Sequence, residues 1–358
     1  MDQQAAQRAA TTGSASRLPA EGGHHTAGHP RQSQLALTRA VLAGIGAYLP
    51  QNVVTNDDLA ERVETSDSWI RERTGIRQRH LAAPHETCAF MATAAARAAL
   101  ADAGAAADEV DAIVLGTSTP DQAFPATAVR VQGELGAGGF AFDISAACSG
   151  FIYALSVADS LVRSGQARGV LVIGAEVFSR LLNWQDRGTC VLFGDGAGAV
   201  FLRAAAGSAG AEAPGILSTH LHSDGRLGDI LYVDGAVGRP DRPGHLVMNG
   251  REVFRHAVTH LSDAVTEALA ANGLVAGDVD WLVPHQANAR IIDGVGRKLG
   301  LPADRVVLTV DRHANTSAAS IPLALAEAYG DGRIRRGQLV LMEALGGGLT
   351  WGSALVRL

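Results

Sequence analysis

The chain is poor in cysteine. Its 358 residues hold three, Cys88, Cys148 and Cys190, and none shares a C-x-x-C spacing. That argues against a disulfide framework and against a zinc site, and fits a reducing cytoplasm. Charge is also sparse: charged residues make up 18%, the formal net charge is −6, and no long basic run occurs. A nucleic-acid partner is therefore not expected. Also missing is any apolar run of about 18 residues, the length a membrane-spanning helix needs.

What is present is globular for most of its length, with 47% hydrophobic residues and room for two domain-sized cores. Residues 1–36 differ in kind. They are small, polar and aperiodic, which predicts a disordered extension without the apolar core of a secretory signal. The histidines of HHTAGH in this stretch have no fold to hold them against a metal.

Beyond residue 36 the chain is written twice. ALADAGAAADEVDAIV, from Ala99, aligns without gaps to ALAANGLVAGDVDWLV, from Ala268, and eight of the sixteen positions are identical. Each copy reads as helix, glycine-containing turn and apolar strand. The same offset of 169 residues carries RGVLVIGAEV onto GQLVLMEALG. A period of that length indicates a duplicated domain, with halves at 37–208 and 209–358. Helices alternating with apolar strands imply α/β layers. If the copies pack symmetrically, their equivalent loops meet at the centre.

Those loops carry reactive groups. Cys148, in FDISAACSGFIYALSVAD, sits at a predicted strand-to-helix turn among Ser145, Ala146, Ala147, Ser149 and Gly150. Its plainer reading is a small core hydrophobe. The helix-start setting predicts instead a stabilised thiolate, approachable by a bulky electrophile and suited to thioester exchange. His285, in VPHQANAR, follows a predicted strand, where open sheets place ligands. Asn315, in RHANTSAAS, taken alone reads as a turn or cap. Together the three supply a nucleophile, an imidazole and an amide donor, and the last two suit a developing enolate oxygen. The glycines Gly346, Gly347 and Gly348 make either a tight turn or a backbone oxyanion donor. FGDGAGAV looks like a dinucleotide loop but runs into strand-like residues, which removes that fingerprint.

Six segments in order, SDSWIRERTGIRQRH, DISAACSGF, DRGTCVLFGDGAGA, VPHQANARI, RHANTSAASIP and GGGLTWGSALVRL, resemble β-ketoacyl-acyl carrier protein synthase III. The resemblance runs from about residue 38 to the end. It implies an α/β thiolase-like fold, two related halves in a five-layer α-β-α-β-α sandwich, and a cytoplasmic homodimer. It implies ping-pong chemistry: acetyl-coenzyme A acylates Cys148, and malonyl-acyl carrier protein loses carbon dioxide beside His285 and Asn315. The resulting enolate then attacks the acyl group.

No metal or redox cofactor is called for. By motif, Gly347 joins the N–H of Cys148 as an oxyanion donor. Trp69, Arg73 and Arg187 match an adenine-binding sandwich, and an Arg stacked with a Trp suits a flat base. Gly250, Phe254 and Asn288 match the pantetheine channel. Phe124 matches a residue that crosses the dimer interface into the partner's acyl pocket. Arg251, Arg255, Arg290, Arg297 and Lys298 concentrate positive charge beside the channel matches, which makes them candidates for docking acidic carrier protein as well as ordinary solvated helix faces. Alternatives are a related condensing enzyme of polyketide or secondary metabolism with another primer, and a non-catalytic acyl-carrier-binding scaffold.

Overall fold

The computed structural model describes residues 37–207, 212–235 and 241–358. The expected N-terminal extension, histidines included, lies outside the described residues.

Two mixed sheets form the frame. In the first, the spatial order is Leu37–Tyr48, Gly196–Gly207, Gly169–Glu176, Ala112–Gly116 and Phe140–Ile144. The last three run parallel, and the first two join antiparallel. In the second, Trp281–Pro284 pairs parallel with Leu339–Gly346, followed antiparallel by Thr350–Arg357 and Gly215–Ser223. An isolated parallel bridge between Leu282 and Val306 stands where the first sheet has its parallel edge strand.

Helices cover both sheets and fill the space between them. Cys88–Asp102 and Thr127–Leu135 pack on the outer face of the first sheet. Gly250–Ala271 and Ala289–Leu299 pack on the outer face of the second. Gly150–Arg163 and Ser320–Gly330 lie between the sheets, in a core shared by both. The order is α-β-α-β-α, the five layers expected.

Burial on two faces explains the composition of the central elements. Every residue of Gly169–Glu176 is buried, so this strand reads as a continuous apolar run rather than an alternation. The central helix Gly150–Arg163 buries Phe151, Ile152, Ala154, Leu155, Ala158 and Val162, which together face more than one side. The repeated segments fold alike. Each ends a helix, makes a short turn (Ala107–Glu109 or Ala276–Asp278) and enters a strand, Ala112–Gly116 or Trp281–Pro284. FGDGAGAV opens the strand Gly196–Gly207, with no helix after it.

Candidate active site

The first sheet delivers Cys148. The strand Phe140–Ile144 leads into a single tight turn, Ala147–Ser149, and only then does the helix begin at Gly150. Ala147 holds the left-handed region at φ 46°, a conformation costly for a residue with a Cβ. The turn is pinned on its other side by Gly346, where a Cβ would lie 2.5 Å from the Cys148 nitrogen.

The helix-start setting does not make Cys148 a resting thiolate. Burial pushes its thiol up to about 12, the Ser317 side chain opposes that, and the charge of Glu176 adds to it. Desolvation outweighs the partial charge of the helix end because the sulfur lies ahead of the first helical turn in a closed setting.

The second sheet delivers His285, just past Trp281–Pro284, with its backbone N–H donating to the Glu343 carbonyl at 2.8 Å. Burial lowers the imidazole to about 3, so it is neutral at physiological pH. Its Nδ1 lies 2.6 Å from Ser320 Oγ. The Ser320 oxygen already accepts the Gln286 N–H at 3.3 Å, so its own proton is free to point at Nδ1. That leaves the ring proton on Nε2, as a donor.

Asn315 follows the short helix Val310–His313 and is buried. Its Oδ1 accepts the Ser317 N–H at 2.8 Å, so the amide NH2 is the group left for the site. Gln286 ties the two loops together. Its amide donates to the carbonyls of Pro284 and Val307 and accepts from the N–H groups of Thr309 and Val310.

Cys148, His285, Asn315 and Gly347 all line one cavity of about 840 Å³. Trp69, Arg73, Gly250, Phe254 and Asn288 line the same cavity. The guanidinium carbons of Arg73 and Arg187 lie 4.5 and 5.0 Å from the centre of the Trp69 ring, so these three residues are brought together. Arg187 is at the margin, donating to the Glu64 carbonyl. Asn288 caps the helix Ala289–Leu299 and reaches across to the Arg73 carbonyl at 3.1 Å.

The five basic candidates separate. Arg251 and Arg290 are exposed and line the cavity, and Arg290 sits over the Phe254 ring. Arg255, Arg297 and Lys298 are ion-paired with Glu252, Asp293 and Asp263, outside the cavity lining. Phe124 is 84% exposed and does not reach this chain's own cavity. Among the described residues no helix is long and apolar enough to cross a membrane, and no cluster could hold a metal ion.

Residues 142–225 match the model of 3-oxoacyl-[acyl-carrier-protein] synthase III, and residues 269–358 match the model of its C-terminal part. A β-ketoacyl-[acyl-carrier-protein] synthase III of Acidiphilium cryptum (strain JF-5) is 69% identical over 322 residues, 90% of this chain and 100% of its own. The chain belongs to the β-ketoacyl-acyl carrier protein synthase III family. Membership makes it an acyltransferase, a condensing enzyme of the initiating step of bacterial-type fatty acid synthesis, with the thiolase fold. The crystal structure of the Aquifex aeolicus VF5 synthase III superposes with a TM-score of 0.83 at 48% identity, covering 89% of this chain and 100% of that one. The priming β-ketosynthase of the R1128 polyketide pathway superposes with a TM-score of 0.84 at 37% identity, covering 89% and 96%.

Reading along the sequence missed Gln286, Ser320, Ser317 and Glu176. Gln286 and Ser320 stand beside family motifs, but their function is a tertiary one, tying loops 20 or more residues apart. Glu176 gave no local signal, since an acid at the end of an apolar strand reads as a solvated terminus.

Proposed function

We propose that the chain forms the first carbon–carbon bond of an acyl chain by a ping-pong route. An acetyl group passes from coenzyme A to Cys148. Malonyl-acyl carrier protein then binds and loses carbon dioxide. The enolate is held by the Nε2–H of His285 and the amide of Asn315, and attacks the acyl-Cys148 carbonyl. The N–H groups of Cys148 and Gly347 receive the oxyanion in both half-reactions. No metal or redox group takes part.

The observation that carries this reading is that Cys148, His285 and Asn315 line one cavity, with His285 Nδ1 held by Ser320 and Asn315 Oδ1 by the Ser317 N–H. A neutral imidazole presenting Nε2–H beside a free amide NH2 is a pair of donors, matched to a carbonyl oxygen gaining negative charge. Trp69, Arg73 and Arg187 are assigned to the adenine, and Gly250, Phe254 and Asn288 to the pantetheine arm. Arg251 and Arg290 dock the acidic carrier protein at the mouth.

The two halves, 37–208 and 209–358, are read as copies that each contribute one side of the site. The enzyme is read as a cytoplasmic homodimer. Among the described residues the edge strand Phe140–Ile144 has no neighbour on one side and stacks Phe140 on Phe142, both at least partly exposed, and Phe124 projects nearby in sequence. Such an edge calls for a covering partner.

Intact-mass measurement after incubation with a panel of acyl-coenzyme A esters tests the reading. A single acetyl adduct that malonyl-acyl carrier protein discharges is the expected result. An adduct that survives in Cys148→Ala, or none from any ester, overturns it.

A further inference from the structure

The three residues assigned to the adenine come from two separate segments, and a buried polar network joins those segments. Trp69 and Arg73 stand on the helix Asp67–Thr74, whereas Arg187 belongs to the loop that runs on to Val191, a cavity-lining residue. Trp69, Ile70 and Val191 share one small apolar core. Apolar contact is non-directional, so it keeps helix and loop together without fixing how they face each other.

Directional bonds come from Arg79, on the short strand Gln78–His80, whose side chain is fully buried. Its guanidinium forks. Nη2 donates to the Val191 carbonyl at 2.9 Å, while Nη1 donates to Asn56 Oδ1 at 2.9 Å and to the Val54 carbonyl at 3.2 Å. Asn56 is buried as well and carries the connection on. Its Nδ2 donates to Asp67 Oδ1 at 2.9 Å and to the Ile76 carbonyl at 2.8 Å. Asp67 is the first residue of the helix that bears Trp69 and Arg73. A continuous line of hydrogen bonds, Val191–Arg79–Asn56–Asp67, thus runs from the loop to the helix.

All three acceptors of Arg79 are neutral oxygens, and its Nε has no partner among the described residues. Burying a guanidinium in this way is costly, and an apolar side chain of similar volume would fill the space more cheaply. What an apolar residue lacks is the planar fork, which holds two directions at once. The bond from Arg187 to the Glu64 carbonyl spans the same gap, but it is exposed, and water competes for both partners.

We propose that Arg79 and Asn56 are positioning residues for the coenzyme A adenine: they set how the loop of Arg187 faces the helix of Trp69 and Arg73, and so the slot that a flat base enters. This rests on the assignment of Trp69, Arg73 and Arg187 to the adenine. Because the network ends at that slot, its effect belongs to binding of the acyl donor rather than to the transfer of the acyl group.

The test is acetyl transfer to Cys148, followed by mass against donor concentration, with two donors. One is acetyl-coenzyme A; the other is S-acetyl-phosphopantetheine, which carries the same thioester and arm without the adenosine. Arg79→Met keeps most of the volume and removes the fork, and Asn56→Ala removes the link. Each is expected to raise the apparent KM for acetyl-coenzyme A by about 5- to 150-fold, the range spanned by loss of one base–aromatic stack, with kcat little changed. The KM for S-acetyl-phosphopantetheine should not move, whereas a damaged fold would affect both donors. Asp67→Ala removes the acceptor on the helix and should show the same split in milder form. Asp67→Asn keeps an acceptor there and should restore the KM. Asp67 is partly exposed, so this pair decides if the buried variants fail to fold.

Equal changes for both donors, or none for either, in Arg79→Met, or in Asp67→Ala where the former does not fold, overturn the positioning role. A Trp69→Ala variant with the wild-type KM for acetyl-coenzyme A instead overturns the adenine assignment and the positioning role with it, so the two failures are distinguishable.

Discussion

The backbone of Gly346 is in direct contact with the backbone of Cys148: a Cβ added at Gly346 would stand 2.5 Å from the Cys148 nitrogen and 3.0 Å from the Ala147 Cβ. The strand Leu339–Gly346 of the second sheet thereby fixes the turn on which the proposed nucleophile and oxyanion donor both depend. Gly346→Ala should push the Cys148 N–H off its line. The expected result is a loss of about 10²–10³ in acylation rate, the usual cost of one oxyanion donor. Overpacking should add roughly 1–3 kcal/mol of destabilisation. Single-turnover mass analysis and thermal unfolding read the two effects separately. A Gly346→Ala variant that acylates at the wild-type rate would show that the turn can yield.

His285→Ala and Asn315→Ala should gain the acetyl group nearly as fast as wild type and then fail to condense. On the proposed route both residues are donors for the malonyl half-reaction, and removal of either should cost about 10²–10³ in condensation. Ser320→Ala releases Nδ1 and with it the tautomer that places a proton on Nε2, so it should impair condensation more than acylation. Partitioning is measured by acetyl mass gain against decarboxylation of malonyl-acyl carrier protein. Loss of acylation with decarboxylation retained would invert the assignment.

Burial of His285 also sets a pH dependence of stability. Its native value, about 3, lies below the ordinary 6.5, so between those limits the unfolded chain binds a proton that the folded chain refuses. Stability from this source is complete above about pH 6.5 and falls as pH drops toward about 3. His285→Gln should flatten that part of the curve. Urea midpoints at about pH 7, 6, 5 and 4 test it; parallel curves for both proteins would assign the acid sensitivity elsewhere.

Arg251→Glu with Arg290→Glu should raise the apparent KM for malonyl-acyl carrier protein several-fold and spare acylation by acetyl-coenzyme A. Both arginines are exposed at the cavity, while Arg297 and Lys298 are spent on Asp293 and Asp263. Reversing the latter pair should have less effect. Added salt should shrink the difference between wild type and the first variant, since steering by exposed charges is screened. Equal effects from both pairs would spread the docking surface along the helix Ala289–Leu299 beyond the cavity.

Phe124→Ala should widen primer choice. A ring 84% exposed on its own chain and inserted into a partner's pocket would exclude long acyl groups, at a cost of roughly 1–3 kcal/mol for overpacking. That corresponds to about 5- to 150-fold in selectivity. Competition between acetyl- and hexanoyl-coenzyme A reads the preference, and sedimentation tests for the proposed dimer. Unchanged preference in the variant would return Phe124 to a surface role.

The duplication, the alternation of helix and strand, and the identity of Cys148, His285 and Asn315 can all be read along the chain. They are legible because periodicity and repeat are local properties, and because a few residue types serve this chemistry. Trp69, Arg73 and Arg187 were singled out through their motifs as an adenine sandwich; the ring distances show the three side chains together, and their role toward the adenine belongs to the proposed function. How those groups are charged is a matter of packing alone. A cysteine before a helix reads as a thiolate, but burial raises it to about 12, and burial makes His285 neutral. Desolvation depends on what every other part of the chain brings up to the group, and no spacing encodes it. The same holds for Glu176, which lies 141 residues from Ser317 and meets it only because a turn of one half packs on a strand of the other.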